Sequence, residues 1–369
     1  MLLLFVFASG CDLFGSDDKG SPTADEVVVI GTQVGSDFQT TGEFGVSATP
    51  LDKGGNSILS EDVKAEVEIE DPSSSKTLST AKSQIAASVE IGWIDEPSDD
   101  PLAISINYDA SGSLNSYDEP QRNRVEGAKA FVDALERIGR EYEAAVFEYA
   151  GSCAPDSQPP FSCSDMWLDF SNNPDSLKSA VEQVTAGGGT PTYGSMLEVL
   201  GYSEAVRPKA DYEKVVVLFS DGQPNDYNLE ARRDSVCNVE LPDKETSVWA
   251  IGLGPGNDHP DETATDPEAV REMNRLTACS NEGGAYIGID PNSPRQSIQD
   301  RFQGFATGAA QGSISFDVEI TEGLDQFQAG DTVQGTLRVK SGGSTVEGDF
   351  SFRVPEADKS SEAFHYSIR

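Results

Sequence analysis

The chain has 369 residues, a formal charge of −37 and an apolar fraction of 37%. That length exceeds one small domain and the apolar content allows a real core, so two or three compact units are expected. Acidic residues run through the whole chain rather than one tail, which keeps the surface solvated and excludes nucleic acid as a natural partner. Such spread acidity also fits adaptation to high salt, where repulsion between carboxylates is screened.

The first residues run from Met1 through an apolar stretch to Ala8, Ser9, Gly10 and Cys11. The stretch is too short to span a bilayer as a helix, and an apolar run ending in small residues marks an export signal. Small residues directly before a cysteine resemble a bacterial lipobox. That resemblance implies that residues 1–11 are a lipoprotein signal and that Cys11 carries the lipid of a protein anchored in the cell envelope, outer membrane or surface. An ordinary cleaved signal or a buried first strand is the alternative. Residues 12–25 are rich in Ser, Gly, Pro and Asp and are expected to form a disordered tether. With Cys11 set aside, Cys153 and Cys163 flank a turn-rich segment that a bridge would close easily. Cys237 and Cys279 are then left to pair with each other. None of the four has zinc-ligand spacing.

Residues 26–100 alternate apolar and polar. Val63, Ala65, Val67 and Ile69 against Lys64, Glu66, Glu68 and Glu70 is the clearest run, the period of a strand with one buried face. Further strands are expected over 27–33, 43–49 and 85–93. From 101 to 311 the pattern changes to short apolar runs alternating with helical stretches. Strands are expected over 102–108, 142–149, 166–170, 214–219, 247–253 and 285–289. Helices are expected over 121–138, 174–184, 193–206, 229–237, 267–279 and 294–306. The second and third strands of this unit are separated only by the cysteine loop and should form a hairpin; the rest predicts a mostly parallel sheet of six strands, covered by helices on both faces. Period-two alternation returns over 312–369, with Ile314, Phe316, Val318 and Ile320, then Phe350, Phe352 and Val354. Neither flank offers many strands, so a single β-sandwich built from both, with the α/β unit inserted into it, is preferred over two small β domains.

Open sheets of this type place their sites at the carboxyl ends of the strands. Three segments fall there or on loops of the same face: Asp109 to Ser113 after the first strand, Gly187 to Thr192 after the second helix, and Ser220, Asp221 and Gly222 after the fourth strand. They offer carboxylate and hydroxyl oxygens, hard ligands suited to Mg²⁺, Ca²⁺ or Mn²⁺. The order and spacing resemble the metal-ion-dependent adhesion site of von Willebrand factor type A (vWA) domains, over residues 101–310. The family's five ligand positions are matched by Asp109, Ser111, Ser113, Thr190 and Asp221. The resemblance implies a Rossmann-like fold and one bound divalent cation, Mg²⁺ or else Ca²⁺ or Mn²⁺. It further implies a protein partner that offers a carboxylate to that cation, and a final helix that shifts when the partner binds. Thr192, the near neighbour of Thr190, is expected to be the N-cap of the following helix. Asp109 has no evident core role at this level. The cysteine loop, residues 223–228 and the acidic segment 254–266 are expected on the rim.

No catalytic pair emerges. The glycines at 187–189 lack the Lys of a phosphate loop, and the two histidines, His259 and His365, lie in unrelated segments. The expectation is therefore not an enzyme but an envelope protein for metal-dependent ligand binding or adhesion. The alternative is a structural scaffold subunit of an envelope complex that binds without the metal.

Overall fold

A computed structural model of the chain describes residues 22–34, 38–70, 85–95, 98–114, 122–151, 163–184, 187–220, 224–253, 272–273, 275–277, 279–280, 284–289 and 295–354. Cys11 lies outside them.

The α/β unit is a six-stranded sheet in the order β10-β9-β8-β5-β6-β7, mostly parallel. Its strands are β5 (Leu102–Asp109), β6 (Tyr142–Tyr149), β7 (Ser164–Ser171), β8 (Glu213–Ser220), β9 (Thr246–Leu253) and β10 (Tyr286–Ile289). Only β7 runs antiparallel, against β6, as the short connection between them requires. Central β5 is buried at every position, with apolar Leu102, Ala103, Ile104, Ile106 and Tyr108 beside buried Ser105, Asn107 and Asp109. Its residues divide between two cores. Ile104, Ile106 and Tyr108 join one, Ala103 the other. Helices α1 (Asn123–Ile138), α2 (Pro174–Val181) and α5 (Arg295–Gln311) cover the first face, and α3 (Thr192–Val206) covers the second. Helix α4 (Leu229–Ser235) continues through a π turn, Val236–Glu240, into the last turn Leu241–Lys244, beyond the 237 expected. Cys237 in that π turn is disulfide-bonded to Cys279. Cys163 is disulfide-bonded too, while Cys153 lies outside the described residues.

The two β-rich flanks share one core. Strands β1 (Glu26–Val34), β2 (Glu43–Leu51) and β4 (Ala86–Asp95) form a sheet with β11 (Ser313–Glu322), in the order β1-β2-β11-β4. Strand β3 (Lys64–Ile69) joins β12 (Thr332–Ser341) and β13 (Ser344–Arg353) in a second sheet. Phe44 and Val46 from the first flank meet Phe316, Leu337 and Phe352 from the second. Strand β12 escaped the sequence pattern, yet its turn was legible. Gly342 and Gly343, at φ 57° and 86°, are the pair a two-residue hairpin with both central residues left-handed demands. Residues 22–25, expected as the end of a disordered tether, lie instead against the sandwich. Ser341 Oγ donates to Pro22 O at 2.7 Å, and Ala24 is buried against the sandwich.

The sandwich is keyed into the α/β unit. A register shift in β1 between Val29 and Gly31 sends Ile30, fully buried, into the core of the α/β unit rather than that of the sandwich. Such burial contributes about 1.5–3 kcal/mol. Ile30 meets α5 at Gly308, where a Cβ would stand 2.7 Å from Ile30 Cδ1 and 2.6 Å from Trp249 Cη2. Arg140 holds both crossings between the units. Its guanidinium donates to Ser98 O and Asp100 O, each at 2.8 Å, and to Ala310 O at 3.0 Å. Helix α5 therefore runs five residues past the expected 306 and stops at Gly312, φ 77°.

On the outer sheet face, β11 places Asp317 directly opposite Glu90. Burial pushes the Asp317 carboxyl above its ordinary range, and Glu43 and Glu90 push it the same way. The folded chain thus holds this proton more tightly than the unfolded chain. The group's contribution to stability is present below the ordinary aspartate range and lost as pH rises through the raised value. Asp317→Asn should raise the melting temperature at pH 7, and the gain should vanish below about pH 4. Melting curves of both proteins across pH 3–8 check this; a pH-independent difference would refute the assignment.

Candidate functional site

Strand β5 ends at Asp109, which is fully buried, contrary to the expectation that it has no core role. Its carboxylate receives Ser220 Oγ on Oδ2 and the Ser111 amide on Oδ1, both at 2.7 Å. Ser220 is the last residue of the neighbouring β8, so parallel pairing itself brings the two together. Behind the carboxylate stands Arg124, buried in the first turn of α1, whose Nη1 donates to the Asp109 carbonyl at 2.7 Å. Asp109, Leu114, Arg124, Phe219, Ser220 and Phe302 line a small cavity there.

The turn after β5 brings the Ser111 and Ser113 hydroxyls to 3.0 Å from each other, Ser111 buried and Ser113 exposed. The loop that carries Thr190 is stitched to this turn through the backbone. Gly187 N–H donates to Ala110 O at 2.6 Å, and Gly112 N–H donates to Gly188 O at 3.0 Å. Thr190 is buried at the end of that loop. Four of the five expected ligands, Asp109, Ser111, Ser113 and Thr190, thus sit on two loops joined at one end of the sheet. Asp221 lies outside the described residues, directly after Ser220.

The described donor set is one carboxylate and three hydroxyls, all hard oxygens, and Asp221, outside the described residues, would add a second carboxylate. That chemistry fits Mg²⁺, Ca²⁺ or Mn²⁺. Among the described residues no group of three or more His, Cys, Asp or Glu side chains forms a cage of its own. Of the expected rim, residues 224–228 are described. Residues 254–266 and the cysteine loop up to 162 lie outside.

Thr192 is not the N-cap. It is the first residue of α3; Pro191 holds the cap position with no side-chain bond, and the buried Thr192 hydroxyl has no hydrogen-bond partner among the described residues. The cap comes from a distant residue, Asp226, whose Oδ2 and Oδ1 accept the Tyr193 and Gly194 amides at 3.0 and 2.7 Å. Burial raises the Asp226 carboxyl, against the lowering pull of these amides and of Arg232. Sequence reasoning did not assign the roles of Ser220, Asn225, Asp226 and Arg124, although Ser220 stands in a segment placed at the site and Asn225 and Asp226 in the segment 223–228 expected on the rim. Those three had a legible signal, since all lie within five residues of Asp221; the buried role of Arg124 had none.

No family model matches the chain, and no curated protein does. Solved structures do. A von Willebrand factor type A protein from Catenulispora acidiphila is similar at 13% identity and a TM-score of 0.42, over 93% of this chain and 76% of its own. The vWF domain of the type V pili tip protein Mfa5 from Porphyromonas gingivalis is similar at 12% identity and a TM-score of 0.38, over 58% of this chain and 97% of its own. The pilus adhesin SpaC from Lactobacillus rhamnosus GG is similar at 14% identity and a TM-score of 0.41, over 85% of this chain but 47% of its own. Likeness at this level assigns neither family nor function, and both rest on the chain's own residues.

Gly188, with Gly189 beside it, is one of two equally tight points of the site. Its φ is 114°, and a Cβ there would stand 2.5 Å from Gly151 N, a backbone atom that cannot swing aside. Gly188→Ala should cost about 1–3 kcal/mol of stability through strain at this single residue. Urea unfolding measures it; an unchanged midpoint would mean that the loop relaxes freely.

Proposed function

We propose that the chain is an envelope-anchored vWA-type protein that binds one divalent cation, Mg²⁺ or else Ca²⁺ or Mn²⁺, through Asp109, Ser111, Ser113, Thr190 and Asp221. The cation serves to bind a partner, not to do chemistry. One observation carries this reading: a fully buried carboxylate at the carboxyl end of β5 shares its turn with two hydroxyls 3.0 Å apart, and that turn is bonded to the loop of a buried threonine. Burying a carboxylate is costly unless its neighbours compensate it, and a cation is the strongest compensation available. When bound, a cation held largely by neutral hydroxyls keeps much of its charge and attracts an acidic ligand. A carboxylate on a partner protein is the ligand class this favours. The chain's own residues then orient the cation: Ser220 and the Ser111 amide aim the Asp109 carboxylate, and Arg124 holds the backbone from which it projects.

Calorimetric titration with Mg²⁺ or Mn²⁺ tests this directly. Asp109→Ala should abolish binding, and it should also destabilise the fold by about 1–3 kcal/mol, because Ser220 and the Ser111 amide lose their acceptor. Asp109→Asn keeps the shape and should lose most of the affinity with less damage to the fold. Unchanged affinity in both variants would remove the metal site. Partner capture that survives both EDTA and these variants would point instead to a metal-independent scaffold.

The anchoring is a separate proposal, resting on the small residues before Cys11. No helix among the described residues is long and apolar enough to cross a membrane. Mass spectrometry of membrane-extracted protein should find residues 1–10 removed and lipid on Cys11. An unmodified Cys11 would refute it.

A further inference from the structure

Backbone bonds hold part of the Thr190 loop, among them Thr192 N–H to Thr190 O at 2.9 Å, but its neighbouring side chains add little. Pro191 has no side-chain oxygen to give, and the buried Thr192 hydroxyl has no partner among the described residues. The side-chain hold comes from the segment after β8. Asn225 Oδ1 accepts the Thr190 N–H at 2.7 Å, and the Asn225 N–H donates back to Thr190 O at 2.9 Å. The two bonds close a ring around the Thr190 backbone. The next residue, Asp226, receives the second and third amides of α3, those of Tyr193 and Gly194, and Arg232 Nη1 reaches its Oδ1 at 3.3 Å. One short segment therefore grips both the Thr190 backbone and the helix that follows it, and Asp221 lies in the same connection.

We propose that Asn225 is a positioning residue for Thr190, with Asp226 fixing the helix behind it, so that the connection after β8 sets the cation affinity of a ligand carried by another loop. This rests on the metal-binding reading above. The physical reason is the cost of ordering. A ligand already held in place loses no further freedom when the cation arrives, whereas a loosened one must be ordered at the expense of affinity. Asn225 is exposed and touches the ligand's backbone rather than its hydroxyl, so its effect passes through Thr190 alone.

The full chain carries the test, with Mg²⁺ alone as the probe. Asn225→Ala removes the acceptor of the Thr190 N–H. Calorimetry should then find Mg²⁺ bound about 10–100-fold more weakly, the range typical of residues that orient metal ligands. Amide hydrogen exchange at Thr190 in metal-free protein should accelerate in the same variant. Asn225→Asp keeps an Oδ acceptor in place and should retain most of the affinity. Asn225→Gln keeps the amide but moves it by one methylene and should behave like the alanine variant. A lower melting temperature with Mg²⁺ affinity unchanged in the alanine and glutamine variants overturns the proposal, because Asn225 would then be structural only. Equal loss in the aspartate and alanine variants overturns it too. The proposal and the reading beneath it fail differently. Unchanged affinity in Asp109→Ala removes the metal site itself, whereas a dead Asp109 variant beside an unaffected Asn225→Ala removes only the positioning role.

Discussion

A carboxylate with no access to water must be compensated by groups within hydrogen-bond reach, and Asp109 imposes that demand on everything around it. Parallel pairing of β5 with β8 supplies the Ser220 hydroxyl, because the two strands end side by side. The sharp turn after β5 supplies the Ser111 amide and, as a by-product, aligns Ser111 with Ser113. Arg124 enters from the opposite side to secure the Asp109 carbonyl. The loop of Thr190 is then tied to this turn by backbone bonds alone, which needs small residues on both sides. Buried charge, strand pairing and glycine content thus act on one point.

The second organising feature is the position of α5. Gly308 lets the sandwich strand β1 lie against it, with Ile30 crossing between the two cores. On another side, Phe302 fills the space left by Gly127 in α1 and lines the cavity behind Asp109. The end of the helix is held by the sandwich as well. Ser57 Oγ donates to Gln311 O at 3.0 Å, and Thr49 Oγ1 donates to Gly312 O at 2.8 Å. One helix therefore touches the sandwich, the central sheet and the floor of the candidate site. Any movement along its axis has to break contacts in all three places.

A third cluster steadies the other face. Glu272, nearly fully buried, accepts Tyr193 Oη at 2.7 Å, Arg233 at 3.0 Å and Arg275 at 3.1 Å. Burial, with the charge of Glu272, pushes the Tyr193 hydroxyl well above its ordinary range, so it stays a donor at every accessible pH. Tyr193 belongs to the first turn of α3, which Asp226 caps. The helix that follows Thr190 is thus fixed at its amides and at a side chain by two different parts of the chain.

Much of this was legible in the sequence because it is written in local patterns. Period-two alternation located β1 to β4 and β11. The apolar run 102–108 announced a strand buried on both sides, and the hydroxyl and carboxylate positions of the candidate site were proposed from the resemblance to the vWA metal site. What local pattern could not carry was any relation between distant segments. The N-cap of α3 was assigned to Thr192, since a threonine before a helix usually serves that purpose; the fold instead brings Asp226 from beyond β8 to the same amides. Asp109 showed no evident core role, whereas the fold buries it completely. The end of α5 was set too early, because the contacts that extend it to Gln311 come from β1, β2 and Arg140. The sequence by itself determined which segments form strands and helices, because periodicity and turn chemistry act over a few residues. Only the tertiary structure decided which buried polar group answers which, because that partner is chosen by proximity in space and not by separation along the chain.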